Sequence, residues 1–269
     1  MKSPSVFLLA ILAAVPALAQ LAPPNSAGVR MGHVHFMVQD VDGQKRFWTE
    51  HMGGIEVHNG PLSLIQMPGV YIMFRKGEPS GPQAGAIVDH VSFTVHDLQD
   101  AIAQWKSEGV KTEQFTNPLQ VYVVGPEGVR IEILQDRTVT KGLKFNHVHF
   151  FPEDPAAMQA WYAKTFGGVP AKRPMLTGPG TIDAADVPGA GLSFAKGKTA
   201  LVSTKGRTLD HIGFDVTNLD EFCRNLEAQG TKLDAPIRKI PDSNVKVAFL
   251  LDPWGTYIEL TENLAPGSK

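Results

Sequence analysis

The sequence predicts an α+β protein of four βαβββ modules taken in two pairs, and three observations predict it. The strand-like stretch Gly32-His33-Val34-His35-Phe36 returns as Asn146-His147-Val148-His149-Phe150. A second kind of strand, Asp89-His90-Val91-Ser92-Phe93, returns as Asp210-His211-Ile212-Gly213-Phe214. A Pro-x-Gly turn then opens a closing strand twice, at Pro126–Gly128 before Glu132 and at Pro253–Gly255 before Glu259. Each signal recurs at the same place in its half of the chain, which is the mark of an internal repeat.

Taken in order, Met1–Ala19 reads as a cleaved export signal. Lys2 supplies a basic start, Val6–Val15 an apolar run, and Ala17-Leu18-Ala19 a small-x-small cleavage site. The run falls well short of the ~20 residues that span a bilayer, and Pro16 closes it. Residues 20–30 have no periodicity and read as a flexible tether. The first module places a strand at His33 and a helix over Asp42–Gly53, with Asp42 as its cap and Phe47, Trp48 and Met52 at core spacing. Short strands follow at Ile55–Val57, Ser63–Met67 and Val70–Phe74, split by Gly and Pro turns. The second module is a strand Asp89–Val95, a helix Asp97–Glu108 and extended runs that close with Val121–Leu134. In the third, helix Ala156–Phe166 stops at Gly167-Gly168, as the first helix stops at Gly53-Gly54. The fourth runs from strand Leu209–Val216 through helix Leu219–Gln229 to a closing stretch Val245–Leu260. Two domains follow from this, residues 31–140 and 144–263, with the division near Lys141-Gly142.

Composition narrows the partners. The formal net charge is −2 and no block of like charge occurs, so neither nucleic acid nor, after signal cleavage, a membrane surface is implied. The expectation is a periplasmic or secreted monomer or homodimer acting on a small molecule. Cys223 is the only cysteine, which excludes an internal disulfide although an exported protein permits one. It lies with Leu219, Phe222 and Leu226 at helical spacing and reads as a buried, inert thiol.

The recurring strands also carry chemistry. Alternate strand residues share a face, so His33 and His35 point the same way about 6–7 Å apart, as do His147 and His149. Imidazole is the commonest metal ligand. His90 and His211 open the equivalent strands of the second and fourth modules, and Glu132 and Glu259 stand four residues after Gly128 and Gly255. Two imidazoles and a carboxylate leave coordination positions open, which suits catalysis. Two such triples in register point to metal centres made of His33, His90, Glu132, His147, His211 and Glu259. By parity, His35 and His149 share the ligand face as general bases or as partners that orient a ligand. Parity also puts Arg130 and Tyr257 there, two residues before each glutamate, and an Arg beside a metal can fork onto a substrate carboxylate or phosphonate. Trp254, at a turn tip, reads as packing.

These stretches resemble the vicinal oxygen chelate superfamily, which includes glyoxalase I, methylmalonyl-CoA epimerase, fosfomycin-modifying metalloenzymes, extradiol dioxygenases and bleomycin-resistance proteins. The resemblance rests on Gly32–Phe36, on Asp89–Leu98 and on Asp252–Leu260, and spans nearly all of the mature chain. It implies paired βαβββ modules whose mixed sheets curl around a metal-holding cavity, with the six residues above as ligands. The chain also departs from the known activities. Glyoxalases and the epimerase carry a fourth Glu or Gln ligand in the last strand of the leading module, where this chain has Val70–Phe74 and Gly191–Phe194. Extradiol enzymes carry a Tyr before the Asp-Pro-x-Gly turn; Phe249 holds that place in one pair. Tyr122 holds it in the other and is a substrate-contact candidate, but its turn has Gly125 for Asp.

The leading expectation is an exported enzyme using a divalent ion (Fe, Mn, Zn, Ni or Co) as a Lewis acid on a substrate bound through two oxygens. The reaction is left open among lyase, isomerase, transferase and dioxygenase chemistry. A non-catalytic binder of an aromatic or antibiotic ligand is the alternative, and metal in one pair only is a third. Sequence neighbours are usually spatial neighbours, so the ligands are expected to group by adjacency: His33 with His90 and Glu132, His147 with His211 and Glu259. Exchange of partners between first and fourth, second and third modules is the competing grouping.

Overall fold

The strand that carries His33 and His35 lies in the middle of a sheet, and one of its two neighbours comes from the far end of the chain. The computed structural model describes residues 21–176, 178–197 and 202–267, so the expected export signal lies outside the described residues. The first module is β1 (Val29–Val38), α1 (Val41–Glu50), β2 (Ile55–Asn59), β3 (Leu62–Met67) and β4 (Val70–Lys76). The second is β5 (Val88–Val95), α2 (Leu98–Ser107), β6 (Lys111–Gln114), β7 (Gln120–Val124) and β8 (Arg130–Gln135). The third is β9 (Leu143–Phe150), α3 (Pro155–Phe166), β10 (Val169–Pro174), β11 (Thr181–Val187) and β12 (Ala190–Phe194). The fourth is β13 (Leu209–Val216), α4 (Leu219–Ala228), β14 (Leu233–Lys239), β15 (Lys246–Leu251) and β16 (Tyr257–Glu262). The predicted α+β class and the four βαβββ modules are therefore present.

The strands form two eight-stranded mixed sheets, in the orders β14-β15-β16-β13-β1-β4-β3-β2 and β10-β11-β12-β9-β5-β8-β7-β6. The first sheet joins modules one and four through the antiparallel β1–β13 ladder; the second joins modules two and three through β5–β9. Each sheet thus draws strands from both the 31–140 and the 144–263 spans. Modules one and two, and modules three and four, also touch, but through their helices. Trp48 of α1 meets Phe93 of β5 with ring centroids 5.8 Å apart, and Phe166 of α3 stacks on Phe214 of β13 at 4.4 Å. The core between the sheets is built from these helix faces and the strand residues behind them, so β1, β5 and β13 read as nearly continuous buried runs, while β9 alternates and exposes Lys144 and Asn146.

Each helix begins where a short polar side chain caps a backbone N–H, a contact worth about 1 kcal/mol. Asp97, Asp154 and Asn218 do this for α2, α3 and α4. At α1 the cap is Asp40, whose Oδ1 accepts from the Gly43 N–H at 2.8 Å, and the expected cap Asp42 lies inside the first turn. The reason is tertiary: Glu127, at the tip of the Pro126–Gly128 turn, accepts from the N–H groups of Gln39 and Asp40 at 2.8 Å each and pins the helix start two residues earlier. The Asp-Pro-Trp-Gly turn is held by its own first residue. Asp252 accepts from the N–H groups of Trp254 and Thr256 and from the Tyr162 hydroxyl, all at 2.7–2.9 Å, and Gly255 supplies the positive φ of 97°. Trp254 packs against Trp161, as expected of it. Cys223 is 1 % exposed, and burial pushes its thiol up to about 11.

Candidate metal centres

Strand register builds the first centre. On β1, β13 and β16 the residues His33, Gly213 and Glu259 lie side by side in one row, and His35 lies opposite His211 one step along. The second sheet repeats this with His147, Ser92 and Glu132 in the row and His149 opposite His90. A small residue stands between imidazole and carboxylate in both rows. At Gly213 it is required: an added Cβ would lie 2.0 Å from Cε1 of His33, so the ring occupies the space a side chain would take.

The expected grouping by adjacency is corrected by this register. Nε2 of His33 is 3.0 Å and Nε2 of His211 is 2.8 Å from the same atom, Oε2 of Glu259. Nε2 of His90 and Nε2 of His147 are each 3.4 Å from Oε2 of Glu132. The sets are therefore His33, His211, Glu259 and His147, His90, Glu132, formed by exchange between modules. The physical reason is that β1 satisfies its open edge with β13, while modules one and two already meet through helix α1.

His35 and His149 join them. One ligand atom from each of His33, His35, His211 and Glu259 falls within 4.8 Å of all the others, and the same holds for His90, His147 and His149. Ligand atoms bound at ~2.0–2.2 Å to one ion lie at most about 4.4 Å apart, so both sets need only small side-chain adjustments. The donor chemistry fits a cation as well. Both ring nitrogens of His35, Nε2 of His90, His147 and His149, and Oε2 of Glu132 are buried without a well-formed hydrogen bond. Buried polar atoms are rarely left so, and several converging on one point fit an ion that all of them can serve.

Neighbouring groups hold the rings in position. Nδ1 of His211 is 2.6 Å from Asp210, Nδ1 of His90 is 2.8 Å from Asp89, and Nδ1 of His147 is 2.7 Å from the Asn146 side-chain oxygen. A proton on each Nδ1 leaves the Nε2 lone pair facing the centre. Burial opposes charging of His90 and His211, but hydrogen bonds to Asp89 and Glu132, and to Asp210 and Glu259, raise both above the usual histidine value. Burial alone dominates at His147 and His149, lowered to about 3 and about 4, and His35 is also held well below the usual value. Burial would raise Glu132, yet the His90 hydrogen bond and the His90 and His147 charges bring it down to about 2; Glu259 is lowered for the same reasons by His211 and His33. Both carboxylates are thus ionised wherever an ion would be held.

The second centre faces a cavity of about 290 Å³ lined by Phe115, Leu134, Phe151, Ile182, Arg173 and Ser193 beside the histidines. Tyr122 also lines it, and its hydroxyl is 2.9 Å from Nδ1 of His90. Arg130 lies over the Tyr122 ring, 4.0 Å from the centroid, and pairs with Glu113 at 3.3 Å, so it backs the tyrosine. Tyr257 stands edge-on to His211 but turns its hydroxyl outward to Asp234 at 3.1 Å, and Phe249 stacks on it. Sequence reasoning missed Arg173, Phe115 and Gln120. Gln120 donates to Oε1 of Glu132 and stands two residues before Tyr122 on β7, so strand parity was the signal that pointed to it. Arg173 had no sequence signal, because it comes from a strand three places away in the sheet.

Residues 144–260 match the Glyoxalase/Bleomycin resistance protein/Dioxygenase superfamily. Among curated proteins none matches the chain. Among solved structures, glyoxalase I from Zea mays is similar with a TM-score of 0.68 at 19 % identity, over 87 % of this chain and 92 % of that one. A putative dioxygenase from Bacillus subtilis is similar with a TM-score of 0.65 at 13 % identity, over 92 % of this chain and 87 % of that one. At these identities the structural likeness speaks for the fold, and it extends across both sheets. With its His-x-His strand, the stretch 144–260 belongs to the glyoxalase/bleomycin resistance/dioxygenase superfamily, the vicinal oxygen chelate proteins, and the fold of those proteins extends over the rest of the chain.

Proposed function

We propose that this chain is an exported metal-dependent enzyme acting on a small substrate that offers two oxygens. The observation that carries the reading is the convergence of buried, unpartnered donor atoms at two places related by the internal repeat. Each centre offers two histidines and a glutamate, with His35 or His149 as a fourth donor beside Met73 or Ser193 of the neighbouring strand. Four protein donors would leave part of a six-coordinate ion's shell open to a two-oxygen substrate. A divalent ion bound there would act as a Lewis acid on a substrate oxygen.

The chain's own residues do the rest. Asp210, Asp89 and Asn146 hold the protons on Nδ1 and so keep Nε2 aimed at the centre. His149, held neutral by burial, favours donation to an ion over the general-base role that parity suggested. Tyr122, raised by burial and by Asp89 and Glu132, keeps its proton and serves as a hydrogen-bond partner at the cavity wall. Names among the similar structures leave the reaction class between glyoxalase-type and dioxygenase-type chemistry.

The test is the metal content of protein purified without chelator, followed by turnover assays on 2-oxoaldehydes, catechols and 2-hydroxy acids. The reading expects bound Fe, Mn, Zn, Ni or Co at up to two per chain and turnover with one substrate class. A metal-free protein that binds an aromatic or antibiotic ligand without turnover would instead make it a sequestering protein. Export is tested by N-terminal mass: the mature chain is expected to begin at Gln20, and an exported protein retaining Met1 would make it an anchored one.

A further inference from the structure

The two centres repeat each other in donors but not in the space beside them. In the second sheet, Gly191 lies next to His147, Ser193 next to His149, and Ala184 opposite Ser193. The equivalent positions in the first sheet are Tyr71 next to His33 and Met73 next to His35. Tyr71 and Met73 form a cluster with Leu64, closed by Leu21 from the N-terminal tether and Leu264 from beyond the last strand, all 7 % exposed or less. Tyr71 and Met73, with Leu21 and Leu264, therefore fill in the first sheet what glycine, serine and alanine leave open in the second. The open space is the cavity of about 290 Å³. A cavity of ~150 Å³ already holds a benzene ring.

The cavity has a charged wall as well as an apolar one. Phe115, Leu134, Phe151 and Ile182 supply the apolar lining. The Arg173 guanidinium lies over Gly191, where an added Cβ would be 2.8 Å from Nη2, so the missing side chain is what admits it. Arg173 pairs with Asp186 through Nη2 while its Nη1 is buried without a partner. Register puts Gly191 beside His147, so that free nitrogen stands near the donor cluster. A guanidinium with one arm committed and the other free is a receptor for an anionic oxygen.

We infer that the chain has a single ligand-accepting centre, at His90, His147, His149 and Glu132, which takes an anion with an apolar, ring-sized body and directs its anionic oxygen to Arg173. The first centre, at His33, His35, His211 and Glu259, is filled by the chain's own side chains and serves as a structural metal site. This rests on the proposed reading of the clusters as metal centres only for the word metal; the count of ligands and the role of Arg173 stand on the cavity alone.

Benzoate, an aromatic carboxylate, is the probe. Calorimetry and ligand-observed NMR on the full chain, both stripped of metal and reloaded, are expected to find one benzoate per chain. Arg173→Gln, which keeps a polar side chain at the cavity edge, should weaken binding about tenfold, the loss expected for a charge-assisted hydrogen bond. Ser193→Phe, which fills the cavity, should abolish binding, whereas Met73→Leu in the first sheet should leave it unchanged. Circular dichroism of each variant identifies any that has lost its fold. Two benzoates per chain, none, or an affinity indifferent to Arg173→Gln overturns the inference. Metal content measured on the same samples keeps the readings apart: no metal with one Arg173-dependent benzoate sinks the metal proposal alone, and two metals with two benzoates sinks the inference alone.

Discussion

Nε2 of His33 stands 3.0 Å from Oε2 of Glu259, although 226 residues separate them in the chain. That one contact decides the organisation of the protein, since it requires β1 of the first module to lie two strands from β16 of the last. It also determines which substitutions should act together.

His33→Ala, His211→Ala and Glu259→Ala are each expected to remove the same ion, and the double variant His33→Ala/Glu259→Ala no more than one per chain. Losing a carboxylate or imidazole from a set costs far more affinity than losing a group behind it. Metal analysis of the variants checks this. Loss of two ions from the double variant would restore the grouping by adjacency.

Gly213 should not tolerate a methyl group. An added Cβ would meet the His33 ring at 2.0 Å, far inside contact distance, and His33 is fully buried. Gly213→Ala is therefore expected to cost about 2 kcal/mol, in the range for forcing extra volume into a packed interior, and to empty the first centre. Ser92 holds the same place in the second sheet, so the second ion should remain. Thermal unfolding with metal analysis tests both halves, and an unchanged Tm with full metal content would contradict the packing described.

The halves 21–140 and 141–269 should each fail to fold alone and should recover structure when mixed. Separating them breaks both central ladders, β1–β13 and β5–β9, and leaves four long apolar strands with open edges. Far-ultraviolet circular dichroism and amide NMR of each half, and of the mixture, provide the measurement. A well-dispersed spectrum from either half alone would count against the exchange.

Cys223 should not react with a thiol reagent at pH 8 in the native protein and should give one equivalent after denaturation. Burial both hides the sulfur and raises its pKa to about 11, so the reactive thiolate is scarce in the fold. A rapid native reaction would mean that α4 opens readily.

The elements and most donors were legible in the sequence because they depend on local pattern. Period-2 strands put His33 with His35 and His147 with His149. Asp97, Asp154 and Asn218 mark helix starts through hydrogen bonds spanning two or three residues, and the Asp252 turn closes within itself. Where a local signal depended on a distant group, the reading slipped: Asp40 replaced Asp42 as the cap because Glu127, far along the chain, receives its N–H.

What the sequence by itself determined was the repeat, the module type and the histidines and glutamates that line the sheets' concave faces. Only the tertiary structure decided how these are shared. A strand edge can be satisfied by any complementary strand, and nothing in β1 names β13 over β5 as its partner. The choice follows from helices α1 and α3 packing consecutive modules back to back, which leaves their free strand edges to modules one and four, and two and three. The same holds for the space beside each centre. Tyr71 and Gly191 are unremarked residues in separate strands until register sets one beside His33 and the other beside His147. One then fills its sheet, and the other leaves room for Arg173.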